Sequence, residues 1–320
     1  MKKILKWTGI IIGLVLMVGA GSAFYLKSKF ENLQNRSYEQ KVVAVRIPAD
    51  SSSLARGKVL SVGCQGCHGD DLGGKDFFND PMIGYMSSPN ITRSRGSATE
   101  KYSDLDYVRT LRHGLNPKGR ALMVMPSESI GQASDEDLGC LISYLKTVIP
   151  VEKKQGPTQF SFTAKVMAGA GLFGNLYPYD VIKHDKVHTI SAPPKSIKPE
   201  YGAYVARMEG CRSCHGETLA GGISPDPSSP PVPNITPGWH MGVWTVNHFK
   251  EAMRTGKTPE GKVLDPKFMP WPGIGAHDDI ELEALFNYIK SLPASANSPE
   301  LEKKLKESKG SKSVASNSSN

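Results

Sequence analysis

The chain has 320 residues, 39% of them hydrophobic, with 32 glycines and 23 prolines. That length holds two ordinary domains with their own cores, and the composition predicts short helices joined by irregular loops. Five cysteines are too few for a disulfide scaffold. The net charge of +8 sits at the ends: residues 1–29 carry five lysines and no acid, and residues 297–320 five lysines against three glutamates. Residues 30–296 are close to neutral, so a nucleic-acid-binding face is excluded.

Lys2, Lys3 and Lys6 precede an uncharged stretch from Trp7 to Leu26. Twenty residues at about 1.5 Å each make a helix of about 30 Å, enough to cross a bilayer. Gly21-Ser22-Ala23 also resembles a signal-peptide cleavage site. The run is longer than a signal core, however, and Lys27 and Lys29 follow it directly, so residues 1–29 are expected to stay as a membrane anchor. On either reading the rest of the chain is exported.

The first module, residues 30–149, opens with a helical pattern over Ser52–Val62. A second spans Tyr102–His113, with Ser103 and Asp106 in capping-box spacing and Gly114 as its stop. The module closes on a helix capped by Ser134, with Asp137 three residues on and Leu138, Leu141, Ile142 and Leu145 in one stripe. Residues 150–198 show little periodicity and read as a long linker. The second module, residues 199–295, repeats the skeleton: Glu200–Glu209, then Trp244–Thr255 stopped by Gly256. Its closing helix has Asp278 and Glu281 at the start, followed by Leu282, Leu285, Phe286 and Ile289. No convincing run of alternating strands appears, so the modules are expected to be all-α. From residue 296 to 320 the Lys/Glu- and then Ser/Asn-rich chain reads as a solvated, disordered tail.

The modules are copies. Gly63-Cys-Gln-Gly-Cys-His-Gly-Asp-Asp-Leu-Gly-Gly returns as Gly210-Cys-Arg-Ser-Cys-His-Gly-Glu-Thr-Leu-Ala-Gly at an offset of 147. Pro89-Asn-Ile-Thr, Met125-Pro and Tyr144 return at Pro233, Met269-Pro and Tyr288, each offset by 144. Four landmarks in one order, separated by a small deletion, mark a duplicated domain; solenoid units are far shorter.

Cys-x-x-Cys-His is the attachment motif of c-type haem. Two thiols add to the two vinyl groups, and the neighbouring histidine supplies the proximal iron ligand. Cys64, Cys67 and His68 would hold one haem, and Cys211, Cys214 and His215 the other, giving two covalently bound haem c groups. A zinc site built from both Cys pairs is the rival, but each pair has its own complete repeat. A thioredoxin-like pair would want a βαβ context, which is missing. The second axial ligand is expected from Met125 and Met269, which stand at the same landmark before each closing helix. Met123 is a rival to Met125 without a counterpart.

This order of motifs resembles class I cytochrome c domains over about residues 50–292. More narrowly it is similar to the multi-haem cytochrome c subunits of membrane-bound periplasmic dehydrogenases of the alcohol and gluconate types. The resemblance implies two tandem cytochrome c domains after an N-terminal transmembrane helix, on the periplasmic side of the cytoplasmic membrane. It also implies electron transfer from a dehydrogenase catalytic subunit to quinone or a terminal acceptor, in a respiratory chain, without catalysis by this chain. Those subunits commonly carry three haem motifs, and this chain has two. A free-standing carrier feeding an oxidase is one alternative. A di-haem peroxidase or thiosulfate-oxidising enzyme is another, opposed by the methionine available in each module.

Asn90-Ile-Thr92 and Asn234-Ile-Thr236 fit the glycosylation pattern, but their repetition points to a structural role near the haem propionates. Cys140, inside a closing helix, reads as an inert core thiol. His184 and His188 stand four apart without a carboxylate motif around them, and no metal role is assigned. His113, His240, His248 and His277 have no counterpart in the other copy and receive no ligand role.

Overall fold

The computed structural model describes residues 2–222 and 229–307. Helix α1 (Lys2–Asn35) runs unbroken through the apolar stretch and past it; Phe30, near its end, is 1% exposed. Extended chain leads to α2 (Ser51–His68), whose N-cap Asp50 accepts a hydrogen bond from Ser53 N. Then come β1 (Lys75–Asp80), β2 (Gly84–Ser88), α3 (Asp104–His113), α4 (Ser127–Ile130) and α5 (Asp135–Thr147). The segment after α5 holds β3 (Gln159–Phe160) and α6 (Phe162–Gly169). The second half has α7 (Pro199–Met208), α8 (Cys211–His215), α9 (Val246–Thr255), α10 (Trp271–Gly275) and α11 (Asp279–Ser291).

The caps anticipated from the sequence form. Ser103 and Asp106 make the capping box of α3, and Asp278 and Glu281 that of α11. Gly114 and Gly256 close α3 and α9 at φ of 63° and 72°, a backbone region that glycine enters without penalty. The apolar stripes of α5 and α11 are buried, with Leu138, Ile142 and Leu282 fully covered. In each half the closing helix crosses the opening one at a glycine. A Cβ on Gly57 would strike the carbonyl oxygen of Cys140, and one on Gly202 that of Ala284. Cys140 is thus the counterpart of a core alanine, as its reading as an inert thiol anticipated.

The fold is mostly helical, as expected, with one small sheet, and the linker and tail need correction. Strands do occur: β1, β2 and β3 form an antiparallel sheet in that order, Gly84 pairing with Phe160 and Tyr85 with Gln159. The linker therefore donates a strand and the helix α6, whose N-cap Ser161 accepts from Ala164 N. The tail is ordered at its start: residues 299–307 are helical, Leu301 is 3% exposed, and Ser298 N donates to Ala220 O at 2.9 Å. A single buried leucine against the second motif loop anchors it where composition alone predicted solvated chain. Residues 308–320 of the expected tail lie outside the described residues.

The halves pack on each other through buried polar groups. Arg56 on α2 donates to Asp137 at the start of α5 and to Glu281 at the start of α11, both at 2.7 Å. Tyr204 donates to Asp137 at 2.6 Å and Tyr201 to Glu281 at 2.9 Å.

Candidate haem-attachment sites

Each Cys-x-x-Cys-His motif lies on helix and is followed by the same tight loop. Gly74 N donates to His68 O at 2.7 Å, and Gly221 N to His215 O at 3.0 Å. Leu72 and Leu219 sit at the same place in each loop with φ of 57° and 60°, a region costly for a residue with a Cβ. Their carbonyls then accept from Ile91 N and Ile235 N, binding the loop to Pro-Asn-Ile-Thr.

That tetrapeptide positions the histidine. His68 Nδ1 lies 2.8 Å from Pro89 O, and His215 Nδ1 2.8 Å from Pro233 O. A carbonyl can only accept, so Nδ1 carries the proton and Nε2 keeps its lone pair for a metal. Burial holds both imidazoles below their usual pKa, partly offset by the carbonyl bond, so they are neutral, the form that ligates iron. Asn90 locks the loop from behind: its Oδ1 accepts from Thr92 N and Oγ1, and its Nδ2 donates to Val151 O and Lys153 O. Asn234 does the same with Thr236 and Ser295 O. Both asparagines are buried, at 3% and 1% exposure, and serve as loop staples.

None of the four motif cysteines is in a disulfide. Burial pushes Cys64 and Cys211 up to about 12, with the Glu209 carboxylate adding to both. Gly273 of α10 packs against Gly63 beside the first motif, and Gly210 beside the second packs against Ser129 of α4. The two attachment sites therefore meet near the junction of the halves. Among the described residues no group of three or more His, Cys, Asp or Glu is placed to hold a metal ion.

Met125 and Met269 are half-buried against the core. The proline after each has one conformation, φ −78° and ψ 55° at Pro126, φ −74° and ψ 52° at Pro270. Ser127 N donates to Met125 O at 2.7 Å and Trp271 N to Met269 O at 2.6 Å, an inverse γ-turn formed twice. Val124, immediately before Met125, has φ 64°, a strained setting for a β-branched residue, and its N–H is held by Leu176 O at 2.9 Å.

Donor chemistry fits a c-type haem: paired thiols, a histidine with a fixed tautomer and a thioether on a rigid turn, all built twice. Residues 54–148 match the cytochrome c family. The chain carries a cytochrome c domain. It is similar to the fructose dehydrogenase cytochrome subunit of Gluconobacter japonicus, 27% identical over 78% of this chain and 54% of that protein. The cytochrome c subunit of the alcohol dehydrogenase (quinone) of Gluconacetobacter polyoxogenes is 35% identical over 28% of this chain and 20% of its own length. A diheme cytochrome c-type of Cereibacter sphaeroides is 24% identical over 72% of this chain and 82% of its own. The chain thus spans about half the length of the fructose dehydrogenase subunit and a fifth of the alcohol dehydrogenase one.

Two arrangements around this cytochrome c domain and its neighbour escaped the sequence reading. His277, 1% exposed, lies between Glu209 at 2.8 Å and Glu281 at 3.0 Å. His113 Nδ1 lies 2.9 Å from His184 Nδ1, and burial pushes His113 down to about 4, with His184 adding to it. His184 therefore faces His113, while His188 is exposed. The matched positions of Asp137 and Glu281, again 144 apart, were the available signal for the first network.

Proposed function

We propose that the chain is a membrane-anchored di-haem c-type cytochrome that passes electrons from a dehydrogenase catalytic subunit to quinone or a terminal acceptor. The observation that carries this reading is the motif histidine held by Nδ1 to a proline carbonyl, built identically in both halves. Residues 30–149 and 199–295 would each form one haem domain. Bound haem supplies the ferric–ferrous couple. Cys64 and Cys67, like Cys211 and Cys214, fix its position; His68 and His215 supply proximal nitrogens, and Met125 and Met269 the opposite thioethers. A thioether favours the reduced state relative to a second histidine, and a methionine opposite the histidine in each half would leave no open position for substrate. The chain is therefore a carrier and no enzyme in its own right.

Similarity to dehydrogenase cytochrome subunits supports a dehydrogenase as donor. The junction of the halves, where each motif borders a residue of the other half, supports transfer from haem to haem within the chain. The uncharged stretch of α1 supports a single N-terminal pass; the haem domains would lie on the periplasmic side.

The test is purification from native membranes in mild detergent, with haem quantified per chain and co-purifying chains identified. Two haems, both reduced by the substrate of a stoichiometric dehydrogenase, are expected. One haem per chain would remove the di-haem reading. Recovery with an oxidase alone would replace the dehydrogenase as partner.

A further inference from the structure

The segment 160–178 holds a single charged residue, Lys165, and that one is paired with Glu31 at 2.7 Å. Within it, α6 packs against α1 where the membrane-spanning stretch ends. The Phe162 ring meets that of Phe24 edge-on, with centroids 5.5 Å apart. At the other end of α6, a Cβ on Gly169 would strike the carbonyl oxygen of Leu26. The contacts of α6 thus run from Phe24, inside the uncharged run, to Glu31, just beyond it, so α6 sits at the level where that run ends.

Apolar side chains around α6 lack protein cover. Phe162 is 46% exposed, Leu172 just beyond the helix 68%, and Met82 in the β1–β2 turn 71%. The turn belongs to the same surface, because Ser161, the N-cap of α6, donates from its N–H to Ile83 O at 3.0 Å and from its hydroxyl to Met82 O. Phe24, on which Phe162 packs, lies inside the uncharged run that spans the bilayer. An element seated there meets lipid, and exposed apolar groups beside it have a covering medium.

We propose that α6, Leu172 and the β1–β2 turn form a second membrane contact, a plate that enters the bilayer interface beside α1. The inference rests on the reading of α1 as a membrane anchor. Lys29 of α1 is exposed and provides a charge that reaches headgroups at the level where this plate begins, while Glu31 holds Lys27 and Lys165. Two contacts, one spanning and one at the interface, would fix the orientation of the first half relative to the membrane surface.

The test places a small photoreactive diazirine side chain singly at Met82, Leu172, Val15 and Val243 of the full chain, in native membranes. Lipid adducts after illumination are read by mass spectrometry. Val243 is 80% exposed in the second half and reports background. Adducts at 82 and 172 well above the yield at 243 are expected, together with adducts at 15. Yields at 82 and 172 equal to that at 243 overturn the plate. If position 15 still forms adducts, only the plate falls; if it does not, the anchor falls with it.

Discussion

His277 sits buried between Glu209 and Glu281. Burial by itself lowers an imidazole pKa, but two hydrogen-bonded carboxylates more than offset it and push the residue up to about 9. Its folded value thus lies above the ordinary 6.5. The stability it brings is complete below pH 6.5 and is lost as pH climbs through about 9. The Tm should fall across that window, and His277→Gln should start lower and lose the slope. A slope unchanged in the variant would assign it to another group. At the proposed iron ligands, Met125→Ala and Met269→Ala should each abolish one far-red methionine-to-iron band and lower the potential of one haem, leaving the other as it was. Potentiometric titration checks both, and a variant that shifts neither band nor potential removes that methionine as ligand.

At the scale of elements, the glycine crossings decide how closely each opening helix approaches its closing helix. Gly57→Ala and Gly202→Ala force the added methyl into a carbonyl, and each should cost about 1–3 kcal/mol in denaturant unfolding. Equal stability would mean the crossing relaxes freely. These elements were largely legible in the sequence because their signals are local. Ser103, Ser134 and Asp278 announce the caps, Gly114 and Gly256 the stops, and one leucine-rich stripe the buried face of each closing helix. The small sheet was not legible, since β2 finds β3 about 70 residues away and neither strand alternates clearly. Helix α6 was hidden because its apolar side chains are not confined to one core-facing stripe. The candidate haem motifs were legible as a spacing. The carbonyl that fixes each histidine was not, because it arrives from a loop about 20 residues on.

For the whole molecule, Arg56 is the side chain through which the closing helices of both halves are joined. Burial pulls its pKa down, but hydrogen bonds to Asp137 and the charges of Asp137 and Glu281 raise it overall, so it is charged at every accessible pH. Arg56→Ala leaves Asp137 without its cation, while Glu281 keeps His277, and should cost about 3 kcal/mol. In calorimetry the variant should split one unfolding transition into two. A single transition at unchanged Tm would mean apolar contacts alone unite the halves. Sequence repetition shows that the halves are copies but not that they share a bridge, because the position matching Arg56 is Tyr201, which reaches Glu281 within its own half.

Helix α1 passes from the apolar stretch into the folded body without a break, and Phe30, Glu31 and Lys165 weld its last turns to β3 and α6. A carrier on a flexible leash sweeps a volume and visits its partners in turn. One mounted on a rigid mast has no such reach. Electrons would have to be brought to it, by a partner gliding in the same plane or one held permanently alongside, and the molecule would work as a fixed station on the line.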